Sequence, residues 1–133
     1  MLTTLEERKK FINSMMTFLS NKYNLSDTQI FVFGSFLTNE YEPGKSDIDI
    51  GIYCENETKM YDIECDLDIY FDKYKLKHDI VIMHLNKNLW INIPILTYGK
   101  PLTTYEDEKL FNYLVDMIKR WGFSPQERIK EVV

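Results

Sequence analysis

The sequence predicts an α+β domain in which a small mixed β-sheet carries helices packed mainly on one face. Long segments with apolar residues every three or four positions alternate with short apolar runs bounded by turn residues. A chain of 133 residues has the size of one ordinary domain, so we treat residues 1–133 as a single domain. The predicted order is helix, strand, strand, helix, strand and a closing helix.

The first helix is predicted over residues 4–22. Thr4 followed by Glu7 has the spacing of a capping box, which satisfies backbone N–H groups at the start of a helix. Apolar side chains then recur at helical spacing, and this predicts one buried face. These residues are Leu5, Phe11, Ile12, Met15, Phe18 and Leu19.

Two strands are predicted next, over residues 29–33 and 47–54. The segment Glu42-Pro43-Gly44-Lys45 between them is a turn signal. Every second residue from position 48 to position 52 is isoleucine. Because side chains alternate along a strand, these isoleucines predict that one face of the second strand is buried.

A second helix is predicted over residues 59–73, followed by a third strand over residues 78–85. The helix again carries apolar residues every three or four positions. Residues 89–97 are apolar but contain Pro94, which allows either an edge strand or a short broken helix.

The last helix is predicted to begin at Thr103, which stands three residues before Glu106 in the spacing of another capping box. Gly122 is predicted to end this helix. The apolar residues at helical spacing between them are Leu110, Phe111, Leu114, Val115, Ile118 and Trp121.

Two carboxylates one residue apart, Asp47 and Asp49, begin the second predicted strand. Side chains at alternate positions point the same way, so both acids are expected on one face. Neighbouring carboxylates repel each other, and a cation between them relieves the repulsion. Mg²⁺ prefers hard oxygen ligands and takes one or two carboxylates together with substrate phosphates. The pair predicts a magnesium site, although Asp is also common near turns.

A Gly-Ser turn, Gly34-Ser35, follows the first strand directly and precedes Asp47 by eleven intervening residues. A turn after a strand that leads into a helix offers backbone N–H groups to a phosphate. Gly34 permits close approach of the backbone, and the Ser35 hydroxyl adds a donor. Lys45 and Ser46 precede the acids and are further candidates for phosphate contacts.

A third acid, Asp79, stands at the start of the apolar run over residues 78–85. If it faces Asp47 and Asp49, it can bind a metal ion and accept the proton of an attacking hydroxyl. Two metal ions would then stabilise the attacking and leaving oxygens of an in-line displacement. His78 should point to the other side of the strand, and the sequence lacks a matching Cys or His set for zinc.

Together these motifs resemble the signature of the DNA polymerase β-type nucleotidyltransferases. The resemblance covers residues 30–83 and is carried by Gly34-Ser35, the run Ser46-Asp47-Ile48-Asp49-Ile50 and the later Asp79. The short chain is similar to the minimal nucleotidyltransferases, which are often antitoxins beside HEPN-domain toxins. The resemblance implies a nucleotidyltransferase fold. It also implies that the three acids hold two Mg²⁺ ions and that ATP is the nucleotide donor.

The resemblance also implies an activity and a partner, namely transfer of AMP from ATP to a tyrosine hydroxyl of a cognate HEPN toxin. Many members of the antitoxin subgroup have an Arg shortly after the Ser, whereas this chain has Phe36, Leu37 and Thr38. Two alternatives stay open. One is nucleotidyl transfer to a small molecule such as an aminoglycoside, and the other is a non-catalytic antitoxin that neutralises its toxin by binding.

Composition argues against several other classes of protein. The net charge of −5 does not predict a face that binds nucleic acid, since such faces are usually basic. No apolar run approaches the length of a membrane span, and residues 1–7 do not have the pattern of a signal peptide. Cys54 and Cys65 lack metal-type spacing and are expected to be free thiols, which predicts a cytoplasmic protein.

Overall fold

The computed structural model describes residues 2–85, 87, 89–104 and 108–121, and these ranges contain four helices and four strands. The helices are α1 (Leu5–Lys22), α2 (Glu57–Lys73), α3 (Leu89–Tyr98) and α4 (Glu108–Trp121). The strands are β1 (Thr28–Phe33), β2 (Ile48–Cys54), β3 (His78–Ile82) and β4 (Lys100–Pro101). The predicted α+β class is confirmed.

The four strands form one mixed sheet in the order β3-β2-β1-β4. β1 is antiparallel to β2 and to β4, whereas β2 and β3 run parallel. Parallel neighbours need a long crossover connection, and α2 supplies it here. In this register Asp49 of β2 lies opposite Phe33 of β1 on one side and opposite Asp79 of β3 on the other.

α1 begins with the predicted capping box. The Glu7 N–H donates to Thr4 Oγ1 at 3.1 Å, and the Glu7 carboxylate accepts from the Thr4 N–H at 3.1 Å. Two orphan donors at the start of the helix are therefore satisfied. The buried side chains of this helix are Arg8, Phe11, Ile12, Met15 and Leu19.

Alternation along the strands divides the sheet into two faces. One face packs against α1 and α2 and holds the larger core cluster, to which Ile48, Ile50 and Ile52 belong. The opposite face carries a smaller cluster that includes Ile95 of α3 and Leu110 of α4. The helices were predicted mainly on one face, but only the two long ones share a face, and the two shorter ones pack on the other. The reason is that this second face is also partly apolar and has to be covered.

Residues 89–97 form a helix, which is one of the two options that Pro94 left open. The chain that approaches this helix is fixed by Asn92, whose amide Nδ2 donates to the carbonyls of His84 at 2.7 Å and Lys87 at 2.9 Å. A buried side chain with two backbone acceptors thus holds a short helix that contains a proline.

Several element boundaries differ from the sequence-based expectation. The prediction that the last helix begins at Thr103 is wrong: α4 begins at Glu108, and the Thr103 hydroxyl donates to the Gln29 side chain of β1. α2 begins at Glu57, because the Asn56 side chain caps it by accepting from the Lys59 N–H at 3.1 Å. β3 ends at Ile82 and not at residue 85, since the chain turns towards α3 after Met83.

β4 was not predicted, because two residues are too few to show an alternating pattern. It pairs with β1 through Pro101 opposite Phe31, and a proline is tolerated on an edge strand. The predicted capping partner Glu106 and the predicted helix stop at Gly122 lie outside the described residues.

The two cysteines do not form a disulfide. Cys54 is buried, Cys65 is exposed, and both are free thiols, as predicted. In the described part of the chain, no helix has the length and apolar character needed to cross a bilayer. The cytoplasmic location stays a prediction.

His78 joins the start of β3 to α2, on the sheet face opposite Asp79. Its Nε2 lies 2.8 Å from Asp68 Oδ1, and its Nδ1 lies 3.0 Å from the Leu76 carbonyl oxygen. Burial lowers the pKa of His78, but the Leu76 carbonyl and the nearby carboxylates of Asp68 and Asp72 outweigh burial and raise that pKa. The prediction that His78 points away from Asp79 is confirmed.

Replacing this histidine should give a pH-dependent loss of stability. Because the pKa of His78 is raised in the folded state, its contribution is fully present below the unfolded pKa of about 6.5 and is lost as pH rises through the folded pKa. We expect His78→Gln to lower the free energy of unfolding by about 0.5–1 kcal/mol between about pH 5 and pH 6.5, and by less at higher pH. Urea titrations over this pH range measure the difference.

Asp68→Asn is the matched control, because it removes the main charged partner and keeps the imidazole. In this background the effect of His78→Gln should lose most of its pH dependence. A loss of stability that is the same at every pH would contradict the assigned ion pair.

Candidate functional site

The candidate site lies at one end of the sheet, where β1 finishes and the parallel strands β2 and β3 begin. Asp49 is the second residue of β2 and Asp79 the second residue of β3, and the two are paired in register. Asp47 precedes β2 by one residue and has the same parity as Asp49. The acids therefore belong to the sheet face opposite the isoleucines that pack on α1 and α2.

The carboxylate of Asp49 packs directly against the backbone of Gly34. A Cβ atom at position 34 would overlap Oδ2 of Asp49 and would lie 3.1 Å from its Cγ. Gly34 also has a φ of 69°, a conformation that glycine adopts without steric cost. Conformation and space both require glycine here. The turn and the acid, which the sequence analysis identified separately, thus form a single site.

Asp49 is half-buried and has an acid on either side of it. Burial raises the pKa of Asp49, and the charges of Asp79 and Asp47 raise it further, to about 6. Asp47 and Asp79 are both exposed to solvent. Ionising Asp49 therefore costs free energy, and a cation held near its carboxylate would lower its pKa and relieve that cost.

The donor atoms of this site suit Mg²⁺, although the acids do not form a closed cage. Among the described residues, no three His, Cys, Asp or Glu side chains are grouped so that they could hold a metal ion. Mg²⁺ usually takes one or two carboxylates and completes its shell with substrate phosphates and water. The pair Asp49 and Asp79 fits an ion shared with a nucleotide, and the assignment of Asp47, Asp49 and Asp79 as metal ligands stays a prediction.

The segment after Gly34 forms a turn and does not lead into a helix. The N–H and the Oγ1 of Thr38 both donate to the Ser35 carbonyl, at 2.9 and 2.8 Å, and close a turn over residues 35–38. Phe36 is fully buried and lies edge-on against Tyr41 at 4.9 Å, which draws the chain back into the core. A phosphate contact by Gly34 and Ser35 would use the backbone of this turn, and it stays a prediction.

Ser46 closes a second turn immediately before the acids. Its Oγ accepts from the Glu42 N–H at 3.0 Å, and its own N–H donates to the Glu42 carbonyl at 2.8 Å. Lys45 is exposed, and its N–H donates to the same carbonyl at 3.0 Å. Ser46 therefore fixes the segment that leads into Asp47, and a phosphate contact by Ser46 stays a prediction.

His84 and Tyr61 form a pair that does not belong to the site. Tyr61 Oη lies 3.2 Å from His84 Nε2, and His84 follows the far end of β3. The structure therefore separates this histidine from the acids.

Arg8 supports the site, and the sequence analysis missed it. It is only 3% exposed, and its side chain donates to the carbonyls of Phe36 at 2.7 Å and Thr38 at 3.0 Å. The run of charged residues around Arg8 suggests a solvated surface. A signal was nevertheless present, because Arg8 stands three and four residues before Phe11 and Ile12, on the buried face of α1.

Comparison with known proteins gives one family and several solved structures. The family model described as "Nucleotidyltransferase domain" matches residues 12–131. A crystal structure described as a toxin–antitoxin with AMP-PNP superposes with a TM-score of 0.57 at 18% identity, covering 91% of this chain and 94% of that one. No curated protein matches the chain.

Two further solved structures have a similar fold. One is a mutant of the toxin–antitoxin MntA–HpeT, with a TM-score of 0.55, 17% identity and coverage of 91% of this chain and 94% of that one. The other is a tri-AMPylated Shewanella oneidensis HEPN toxin in complex with MNT antitoxin, with a TM-score of 0.54, 17% identity and coverage of 94% and 95%. At these identities the likeness shows a common fold.

Adding a methyl group at Gly34 should displace the Asp49 carboxylate. Gly34→Ala combines an unfavourable positive φ with direct overlap of Asp49 Oδ2. We expect the free energy of unfolding, measured by denaturant titration, to fall by about 1–2 kcal/mol from the backbone and by about 1–3 kcal/mol more from the overlap.

Gly44→Ala is the matched control, because Gly44 also has a positive φ of 81°, but a Cβ atom added there would have no neighbour within 4 Å. It should show the backbone cost alone. Equal losses in the two variants would mean that Asp49 does not pack against Gly34.

Neutralising Asp49 should stabilise the protein in a pH-dependent way. The pKa of Asp49 is raised to about 6 in the folded state, so its ionisation opposes folding increasingly as pH rises from the unfolded pKa to the folded one. Asp49→Asn should match the wild type near about pH 4 and should exceed it by about 1–2 kcal/mol above about pH 7, after allowance for solvent screening. Urea titrations of the metal-free protein, in chelator, measure the difference.

Asp62→Asn provides a control for the general effect of removing one negative charge, since Asp62 is exposed on α2. Its effect on the free energy of unfolding should be small and should not grow between about pH 4 and pH 7, whereas that of Asp49→Asn should. A variant Asp49→Asn that is less stable than the wild type above pH 7 would show that the carboxylate has a structural role.

Proposed function

Because the chain belongs to the nucleotidyltransferase domain family, we propose that it transfers AMP from ATP to a tyrosine hydroxyl of a cognate HEPN-domain toxin. The family and the nucleotidyltransferase fold were predicted from the Gly-Ser turn and the acid pair, and both are confirmed. In this proposal the protein is a cytoplasmic antitoxin that works with Mg²⁺. The residues assigned to catalysis, metal binding and nucleotide binding are Asp47, Asp49, Asp79, Gly34, Ser35 and Ser46.

Solved structures of similar fold support this choice of donor and acceptor. One of them is described with AMP-PNP, and another as a tri-AMPylated HEPN toxin in complex with MNT antitoxin. These descriptions concern proteins that are 18% and 17% identical to this chain. We apply the same donor and acceptor to this chain because of how its own candidate site residues are arranged.

The position of Asp49 is the observation that carries the proposal. Its carboxylate touches the Gly34 backbone, is paired in register with Asp79, and has a pKa raised to about 6 by burial and by the two neighbouring acids. A purely structural site has no need for a half-buried acid between two others. A site that receives a nucleotide phosphate together with a cation does, because the cation neutralises both groups.

The reaction that this geometry supports is an in-line displacement at the α-phosphorus of ATP. The tyrosine oxygen forms a bond to phosphorus, the bond from phosphorus to the oxygen that bridges to the β-phosphate breaks, and pyrophosphate leaves. Asp79, exposed beside Asp49, accepts the proton of the tyrosine hydroxyl. The Gly34-Ser35 turn holds phosphate oxygens. Bound Mg²⁺ supplies charge neutralisation for the triphosphate.

An antitoxin that acts by binding alone is the second candidate, and one observation favours it. Phe36, Leu37 and Thr38 occupy the segment where the resemblance leads one to expect an Arg, and Phe36 is turned fully into the core. The side chain at position 36 is therefore not a cation that could contact a phosphate. An inactive site could persist in a protein whose function is to cover its toxin.

The experiment is to incubate the protein with ATP, Mg²⁺ and its proposed partner, the product of the neighbouring gene, and to measure the intact mass of that partner. We expect the partner to gain the mass of one or more AMP groups. The gain should disappear with a chelator. Asp49→Asn should also abolish it, because this variant keeps the shape of the side chain and loses its charge.

Asp62→Asn serves again as the control, and it should leave the transfer unchanged. Suppose that the wild type binds and neutralises its neighbour while the neighbour's mass stays constant with ATP, GTP, CTP and UTP. The proposed transfer would then be wrong, and the antitoxin that acts by binding would replace it.

A further inference from the structure

Arg8 is a buried cation whose hydrogen bonds all go to backbone carbonyls. Besides the carbonyls of Phe36 and Thr38, it donates to those of Leu2 at 3.2 Å and Thr3 at 3.1 Å. Its Cζ lies 5.0 Å from the centre of the Tyr41 ring, a distance typical of a cation–π contact. A buried guanidinium with four carbonyl acceptors is costly to desolvate, so its partners must be well placed.

Two of these carbonyls belong to the turn that follows Gly34. Arg8 Nε binds the carbonyl of Phe36, and Nη2 binds that of Thr38. Thr38 in turn donates through its N–H and its hydroxyl to the carbonyl of Ser35. A continuous series of hydrogen bonds thus leads from the first helix to the residue that is assigned to the phosphates.

The turn is held from a second direction by the ring of Phe36. This ring is fully buried and packs edge-on against Phe11 of α1 at 6.2 Å, one helical turn from Arg8. The buried ring holds the turn against the core, and the guanidinium orients the carbonyls of Phe36 and Thr38. Both contacts come from the same face of α1.

Arginine is suited to this role in a way that lysine is not. The guanidinium presents several donors in a rigid plane, so that Nε and Nη2 can bind two carbonyls of one turn at the same time. A lysine ammonium at position 8 has three donors for the four carbonyls that Arg8 binds, so at least one of the four would lose its partner.

We propose that Arg8 is a positioning residue for nucleotide binding, which holds the turn over residues 35–38 in the conformation that receives the phosphates. Arg8 acts through the carbonyls of Phe36 and Thr38 and does not itself contact the nucleotide. The inference rests on the proposed function, since it assigns the turn to a nucleotide.

Arg8→Lys tests the inference in the full-length protein. We expect its Kd for AMP-PNP in the presence of Mg²⁺, measured by titration calorimetry, to be about tenfold weaker than that of the wild type. The KM for ATP should rise by a larger factor than kcat falls. Without any nucleotide, amide hydrogen exchange in residues 35–41 should be faster in the variant than in the wild type.

Lys59→Met is the control for destabilisation alone. Lys59 joins α2 to the segment before β1 through Asp27 at 2.7 Å and through the Asn24 carbonyl, and both contacts lie outside the turn. This variant should lower the melting temperature and leave the Kd for AMP-PNP unchanged. Thr38→Val is a second test, because it removes the hydroxyl that closes the turn and leaves Arg8 intact. It should weaken AMP-PNP binding in the same direction.

The outcomes separate this inference from the proposed function. If the wild type does not bind AMP-PNP, the proposed function fails, while hydrogen exchange still shows whether Arg8 holds the turn. If Arg8→Lys is folded and binds AMP-PNP as tightly as the wild type, the inference is wrong, and the proposed function is then judged on the wild-type result alone. If Arg8→Lys does not fold, an unchanged Kd in Thr38→Val overturns the inference and a weaker Kd supports it.

Discussion

The parallel pairing of β2 with β3 is the constraint on which the rest of the site depends. In this register Asp49 stands beside Asp79, and Ile48, Ile50 and Ile52 face the two long helices. A shift of one residue would turn the acids into the core and the isoleucines towards solvent. The apolar face therefore determines the register, and the position of the acids follows from it.

The balance of energies explains why the acids can be kept so close. Each of Ile48, Ile50 and Ile52 is fully buried, and burying such a side chain contributes about 1.5–3 kcal/mol. Ionising Asp49 costs about 1–2 kcal/mol after screening by solvent, first because the carboxylate is half-buried and then because of the charges of Asp79 and Asp47. Burial on one face is thus large enough to hold an unfavourable charge arrangement on the other. The same β2 strand serves both purposes because its side chains alternate.

Much of this arrangement could be predicted from the sequence, because it follows from local patterns. The capping box at Thr4, the alternating isoleucines and the acids at Asp47 and Asp49 are each defined by residues that lie close together in the chain. The pairing of Asp49 with Asp79 required one further assumption, that the third predicted strand lies beside the second. The structure confirms that β3 lies beside β2.

The features that could not be predicted depend on contacts between distant parts of the chain. Arg8 reaches residues about thirty positions away, and nothing in the charged run around it indicates which carbonyls it binds. Strand β4 forms only because it can pair with the edge of β1. The pattern of residues 89–97 is compatible with a strand or a helix, and the hydrogen bonds of Asn92 to the preceding chain favour the helix. In each of these cases, contacts between residues that are distant in the sequence determine the structure that forms.

Strand β4 also determines how one side of the sheet ends. It has two residues, and Pro101 lacks the N–H that an additional strand would need as a donor. In the described part of the chain, this edge therefore gives a poor template for a strand from another molecule. The sheet is thereby protected, along this side, against the addition of strands that builds a fibril.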